Sequence, residues 1–143
     1  MKITYAKKEE LNTLHNIDVF ISEIQLLQAI KQKRIYVIKD DNKIIGFLRY
    51  TFHLDQTPLL CYVSVNPEYR KQGIATKLIS RFKKDMIKQQ YDTILLSIPS
   101  KSEAIDFFKH FNFKQIGYTN ITYETEELIF ENILINRDVF LIY

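Results

Sequence analysis

The sequence has 143 residues, 46% of them hydrophobic, with a formal charge of +3 and one cysteine. That is enough chain to bury one proper core, and only three glycines and three prolines argue against linkers, repeats or low-complexity tails. A lone Cys61 excludes an internal disulfide and a cysteine-built structural metal site, so no metal is expected. The N-terminus becomes charged at Lys7-Lys8 before an apolar run of signal length builds up. The expectation is a single domain over 1–143, soluble and cytoplasmic, working as a monomer or homodimer without a membrane.

Lys2 to Ala6 reads as a short strand, and Glu9 to Ile17 carries Leu11, Leu14 and Ile17 at helical spacing. A second helix starts at Ser22, with Gln25 three residues on as in a capping box, and Ile24, Leu27 and Ile30 recur on one side. Ile35–Ile38 and Ile44–Leu48 flank Asp40-Asp41-Asn42, which predicts an antiparallel hairpin whose second strand reaches His53. Pro58 breaks the chain before Leu59–Val65, an apolar run read as the central strand. Asn66-Pro67-Glu68 turns it into a long amphipathic helix carrying Ile74, Leu78, Ile79, Phe82, Met86 and Ile87.

Thr93–Ile98 is the next strand, followed by a short helix over Ser102–Phe111. Strands over Phe113–Tyr123 and Leu128–Ile135 come last, with Val139–Tyr143 as an extra edge. The order βααβββαβαββ is an α/β arrangement with a strand-helix-strand crossover in the middle.

The informative stretch is Val65-Asn66-Pro67-Glu68-Tyr69-Arg70-Lys71-Gln72-Gly73-Ile74-Ala75. A strand, a turn and a helix start place unpaired N–H groups and the positive helix end together, which makes an anion cradle. Gly73 and the small Ala75 let the backbone approach a phosphate, and Lys71 adds counter-charge. An ordinary strand-to-helix turn has the same outline. Lys77, Arg81, Lys83, Lys84 and Lys88 follow, equally suited to an anion or to a solvated helix face. A nucleic-acid partner is not expected, because zinc-finger spacing and RNA-stacking aromatics are both missing.

Arg70-x-x-Gly73-x-Ala75, preceded by Val65-x-Pro67-Glu68-Tyr69, resembles the acetyl-CoA signature of the GCN5-related N-acetyltransferases, the GNAT superfamily. Ala104 to Phe113 is similar to the family's Ala-x-x-Phe-Tyr-x-x-x-Gly-Phe helix, continued by Ile116-Gly117-Tyr118. Gly46 to Tyr50 with Asp55 and Pro58 resembles small bacterial members. The resemblance implies a mixed, mostly antiparallel sheet with a central splayed parallel strand pair, Leu59–Val65 and Thr93–Ile98.

It also implies that Val63, Ser64 and Val65 offer backbone groups to the pantetheine arm of acetyl-CoA. Arg70, Lys71, Gln72, Gly73, Ile74, Ala75 and Thr76 would then surround its pyrophosphate. Lys101 and Lys109 stand where they can meet cofactor phosphates or simply face solvent. Phe108, also placed at the cofactor, occupies the position of the family's tyrosine acid.

The implied activity is acetyl transfer to a primary amine of a small molecule or peptide. It needs a neutral amine, an oxyanion donor and a proton for the leaving sulfur. Leu59–Val65 holds no carboxylate, so the nearest catalytic candidates are His53 and Asp55, which share a face if the strand stays extended. Asp55 capping a turn and His53 on the surface is the competing reading. Tyr62, Tyr118 or Tyr123 could stand in for the missing acid. Glu124, Glu126, Glu127 and Glu131 around the last hairpin would favour a cationic acceptor. With acid and base both out of their usual places, the alternative function is a catalytically faded acyl-CoA-binding or regulatory module.

Overall fold

The computed structural model describes residues 1–120 and 126–134. Its elements are β1 (Lys2–Tyr5), α1 (Leu11–Ile17), α2 (Glu23–Lys31), β2 (Ile35–Asp40), β3 (Lys43–His53) and β4 (Thr57–Val65). They continue with α3 (Ile74–Lys88), β5 (Thr93–Pro99), α4 (Ile105–His110), β6 (Lys114–Thr119) and β7 (Glu127–Ile133). This is the order read from the sequence. The fold is a mixed α/β fold with a seven-stranded sheet in the order β1-β2-β3-β4-β5-β7-β6, mostly antiparallel, with β4 and β5 as its parallel pair. No described helix is long and apolar enough to cross a membrane.

The chain divides into two compact units, Met1–Thr51 with Tyr62–Phe82, and Phe52–Cys61 with Lys83–Tyr143. In the first, β2 runs antiparallel to both β1 and β3. The hairpin turn works because Asp41 (φ 46°) and Asn42 (φ 66°) both accept the left-handed region, as a two-residue type I′ loop requires. Strand alternation sends Ile35, Val37 and Phe47 to one face, where they meet Leu14 of α1 and Leu26, Ala29 and Ile30 of α2. On the opposite face Tyr50 packs its ring 4.7 Å from that of Phe82 in α3. Since β2 is covered on both sides, Ile35 to Ile38 are all buried.

Ser22 caps α2 by accepting the Gln25 N–H at 3.2 Å, which typically contributes about 1 kcal/mol. The reciprocal half of the capping box is replaced by a Ser22 hydroxyl bond to Gln25 Oε1. The buried face of α2 differs from the expected one. Leu26, Ala29 and Ile30 face the core, and Ile24 is 76% exposed, because that stripe is the one that meets Leu14 of α1 and Ile35, Val37 and Phe47 of the sheet.

In the second unit β7 is sandwiched antiparallel between β5 and β6. The parallel ladder consists of Leu59↔Leu95 and Leu60↔Leu96. Ile94, Leu96 and Ile98 of β5 and Phe130 of β7 are buried, as are Phe108 and Phe113. Phe108 meets Phe107 and Phe113 edge-on, at 5.3 and 5.5 Å. The helix expected over 102–111 contracts to α4, since Ser102 caps the turn before it by accepting the Ala104 N–H. Pro58 does not break the chain. It is the second residue of β4 and is buried, a place where a strand tolerates a missing donor. The expected edge over 139–143 lies outside the described residues.

Candidate active site

The turn between β4 and α3 is braced on three sides. Asn66 donates its N–H to the Ile45 carbonyl (2.7 Å), and its side-chain oxygen accepts from Glu68 N–H (3.0 Å). The Tyr69 hydroxyl donates to Asp40 Oδ2 at 2.7 Å, which raises the Tyr69 pKa and ties the 3-10 turn Pro67–Tyr69 to the end of β2. Arg70 is extended, then Lys71 (φ 62°) and Gly73 (φ 76°) enter the left-handed region. Lys71 bears a Cβ there, a strain of roughly 1–2 kcal/mol that the braced turn must hold.

The first intrahelical bond of α3 runs from Lys77 N–H to Gly73 O at 3.0 Å. The N–H groups of Gly73, Ile74, Ala75 and Thr76 therefore have no intrahelical acceptor. A Cβ built on Gly73 would meet nothing within 4 Å, so the space in front of these donors is open. Arg70, Lys71, Gln72, Gly73 and Thr76 are exposed around it, while Ile74 anchors the helix start at 2% exposure. Free donors, positive helix end, open space and two cations fit a pyrophosphate.

Gly46 lets this turn approach the sheet. A Cβ there would lie 3.0 Å from Ile74 Cγ2, 3.1 Å from Ser64 O and 3.2 Å from Ile38 Cγ2. Val63, Ser64 and Val65 are the last residues of β4 and are half-buried. Ser64 and Val65 also line a cavity of about 220 Å³ with Ile17, Phe47, Asn66 and Arg70.

Beside that cavity stands a polar group that sequence reasoning missed. Arg49 Nε donates to Asp18 Oδ2 at 2.7 Å, with the Asp18 side chain 0% and the Arg49 side chain 12% exposed. Tyr62 stacks on Phe47 at 5.4 Å and donates its hydroxyl to Ile17 O at 3.3 Å. Burial, reinforced by the Asp18 charge, raises the Tyr62 pKa, so the phenol keeps its proton at neutral pH. Asp18 and Arg49 are 31 positions apart, and only the tertiary fold brings them together.

The shared strand face expected for His53 and Asp55 is not formed. β3 ends at His53, and Leu54 (φ 50°) and Asp55 (φ 63°) make a tight turn closed by Gln56 N–H to His53 O at 3.1 Å. Both side chains are exposed, as the competing reading had it. Lys101 and Lys109 are exposed in the second unit, where Phe108 is only 5% exposed. Tyr118 is exposed on β6, and Tyr123 and Glu124 lie outside the described residues. Of the remaining glutamates, Glu126 is exposed, and Glu127 accepts from the Ser97 hydroxyl at 3.3 Å.

The GNAT acetyltransferase domain model matches residues 31–115. The chain therefore belongs to the GNAT acetyltransferase family, whose members bind acetyl-CoA and transfer acetyl groups. Comparison with curated protein sequences gives no match. Among solved structures, Naa20 of Chaetomium thermophilum in complex with a bisubstrate analogue is similar with a TM-score of 0.84 at 18% identity, over 97% of this chain and 89% of that one. The Escherichia coli ribosomal-protein-S18-alanine N-acetyltransferase gives 0.78 at 18% identity, over 94% of each chain. The NatC complex bound to Gag peptide and CoA gives 0.76 at 18% identity, over 94% of this chain and 100% of that one. At such identities these similarities establish the fold alone.

Proposed function

We propose that the chain is an acetyl-CoA-dependent N-acetyltransferase of primary amines on small molecules or peptides. The observation that carries this reading is the braced turn Arg70–Thr76: four helix-start N–H donors, a left-handed Gly73 and open space in front of them. Arg70, Lys71 and the N–H groups of Gly73 to Thr76 hold the pyrophosphate, and the β4 residues Val63 to Val65 hold the pantetheine arm. Acetyl-CoA, when bound, supplies an acyl group activated as a thioester. The chain orients it, excludes water and handles the proton of the acceptor.

Calorimetry with coenzyme A tests the cofactor, and thiol release from acetyl-CoA over a panel of primary amines tests the transfer. No heat with coenzyme A would overturn the first half; binding without release would overturn the second. For the proton acceptor read from the sequence, Asp55→Asn decides: a lowered turnover with an altered pH profile supports Asp55 with His53, and an unchanged profile removes them. A second reading, coenzyme A binding without turnover, is favoured by Phe108, which has no hydroxyl at the family's acid position and is 5% exposed.

A further inference from the structure

Arg49 and Asp18 stand inside the first compact unit, which also holds Val63 to Val65 and the Arg70–Thr76 turn. Their pairing is incomplete on both sides. A guanidinium and a carboxylate can join through two parallel bonds, yet here one bond forms, from Arg49 Nε to Asp18 Oδ2, and Asp18 Oδ1 is buried without a partner. Among the described residues Arg49 has no other hydrogen-bond partner, so the N–H donors of both its Nη groups are unused. They can also be reached. The Arg49 side chain is 12% exposed, and neither Nη is among the buried atoms that lack a partner, so both touch solvent.

The strands set where these donors lie. β3 and β4 are neighbours in the sheet and are joined by the tight turn after His53, so they run antiparallel. The Asn66 N–H bond to Ile45 O fixes one end of the pair, and Phe47 stacks on Tyr62 further along. Counting on along the ladder puts Arg49 beside Tyr62, the residue before Val63. Burial and then the Asp18 charge raise the Tyr62 pKa, while the Ser64 hydroxyl and the Arg49 charge lower it, in agreement with that neighbourhood. A pantetheine arm held from the Arg70–Thr76 turn back along Val65 to Val63 brings its far end towards Tyr62. The acceptor amine has to arrive at that same end.

We propose that Arg49 selects the acceptor by binding the carboxylate of a small amino acid, whose amino group takes the acetyl group; the inference rests on the N-acetyltransferase reading. The carboxylate accepts from both Nη groups in a planar fork, and Asp18 holds the guanidinium from the Nε side. The stacked rings of Phe47 and Tyr62 keep the surroundings poor in water, which strengthens such bonds. Asp18 neutralises the pair, so long-range attraction is weak and recognition depends on the fork. A carboxamide or a bare alkylamine leaves it without an ion. A peptide amino end has its carboxylate too far away. In the transfer the nitrogen lone pair forms the N–C bond, and the C–S bond breaks with its electron pair going to sulfur. The ammonium gives up two protons, one to the thiol and one to solvent.

The test compares α-, β- and γ-amino acids with their carboxamides and with the alkylamines that lack the group, on wild type, on Arg49→Lys and on the double variant Asp18→Leu with Arg49→Met. Arg49→Lys keeps a cation beside Asp18 but loses the fork. The double variant removes both charges, so it leaves no lone charge in the core should the single one fail to fold. Wild type should prefer the best amino acid over its carboxamide, and each variant should lower the kcat/KM ratio of that pair about 10- to 100-fold, the range for bonds to charged groups. The loss should fall on KM, since a contact away from the reacting nitrogen binds ground and transition state alike. Apart from turnover, the Nε–H resonance missing from Arg49→Lys should move when the amino acid is added to wild type holding coenzyme A, and stay in place with the carboxamide.

A ratio that the variants leave unchanged, a loss carried by kcat, a resonance that the amino acid does not move, or a wild type that prefers carboxamides would each overturn the assignment. Thiol release that is no faster with amino acids than with alkylamines overturns it too and leaves the transferase reading standing. No thiol release with any acceptor sinks that reading, and this inference with it.

Discussion

Replacing Gly46 by alanine perturbs the cofactor turn from beneath, pressing on Ile74 and the Ser64 carbonyl while leaving the Arg70 and Lys71 side chains untouched. The added methyl would sit 3.0, 3.1 and 3.2 Å from Ile74 Cγ2, Ser64 O and Ile38 Cγ2, where ordinary carbon contacts begin near 3.4 Å. Two of these neighbours are side-chain methyl groups, and each must give a few tenths of an ångström. The third is main-chain oxygen of β4 and cannot rotate away. Overpacking of this kind costs about 1–3 kcal/mol. Because Ile74 is the first residue of α3 and is buried, the relaxation moves the helix start and with it the donors of Gly73 to Thr76. Urea denaturation of Gly46→Ala should show a lower midpoint and an unfolding free energy smaller by that amount, and calorimetry should show weaker coenzyme A binding. Gly117→Ala, with nothing within 4 Å of the new methyl, is the control and should change neither. A Gly46→Ala protein with wild-type midpoint and wild-type affinity would refute this account of how the turn is seated.

Gly73→Asp places a carboxylate in front of the helix-start donors, so calorimetry should detect no coenzyme A binding, while circular dichroism stays native. Asp18→Asn leaves Arg49 facing a neutral group within the fold, and since breaking a buried pair costs about 3–5 kcal/mol, chemical denaturation should show a loss approaching that range. Tyr62 should ionise later than an ordinary tyrosine in a spectrophotometric titration, and Tyr62→Phe should diminish the late phase, which Tyr69 shares. The folded pKa of Tyr62 lies above the unfolded value of about 10, so the folded state holds the extra proton above that pH. The stability tied to it is complete below about pH 10 and falls as pH rises further, a decline that Tyr62→Phe lessens.

Elements were legible where local chemistry decides them. Asp41-Asn42 announces its turn through the two residues best able to bear positive φ, and Ser22 announces a helix start through its hydroxyl. The Arg70–Ala75 turn was legible for the same reason, since its glycine and its strand-to-helix setting are adjacent in the chain. Reading α2 failed because Ile24, Leu27 and Ile30 and the true face Leu26, Ala29 and Ile30 are both helical stripes; which one is buried depends on where β2 and β3 lie. The shared face of His53 and Asp55 failed through an assumed extended strand, with nothing in Leu54 to suggest its left-handed φ. Asp18–Arg49, Tyr69–Asp40 and Ser97–Glu127 are meetings of distant residues. The sequence holds their side chains but carries no local sign of the encounter.

The chain makes many of its turns without glycine. Lys33, Asp41, Asn42, Leu54, Asp55, Lys71, Gln90 and Asn112 all sit at positive φ, in a protein with only three glycines. For an engineer these positions form a map of heat tolerance still to be gained, and Leu54, bulky and 77% exposed, is the most promising of them. At Lys71 the same exchange to glycine would relax the backbone but remove a cation from the proposed pyrophosphate cradle. Hardiness can therefore be raised at Leu54 without touching the proposed cradle, whereas at Lys71 it is set against cofactor binding.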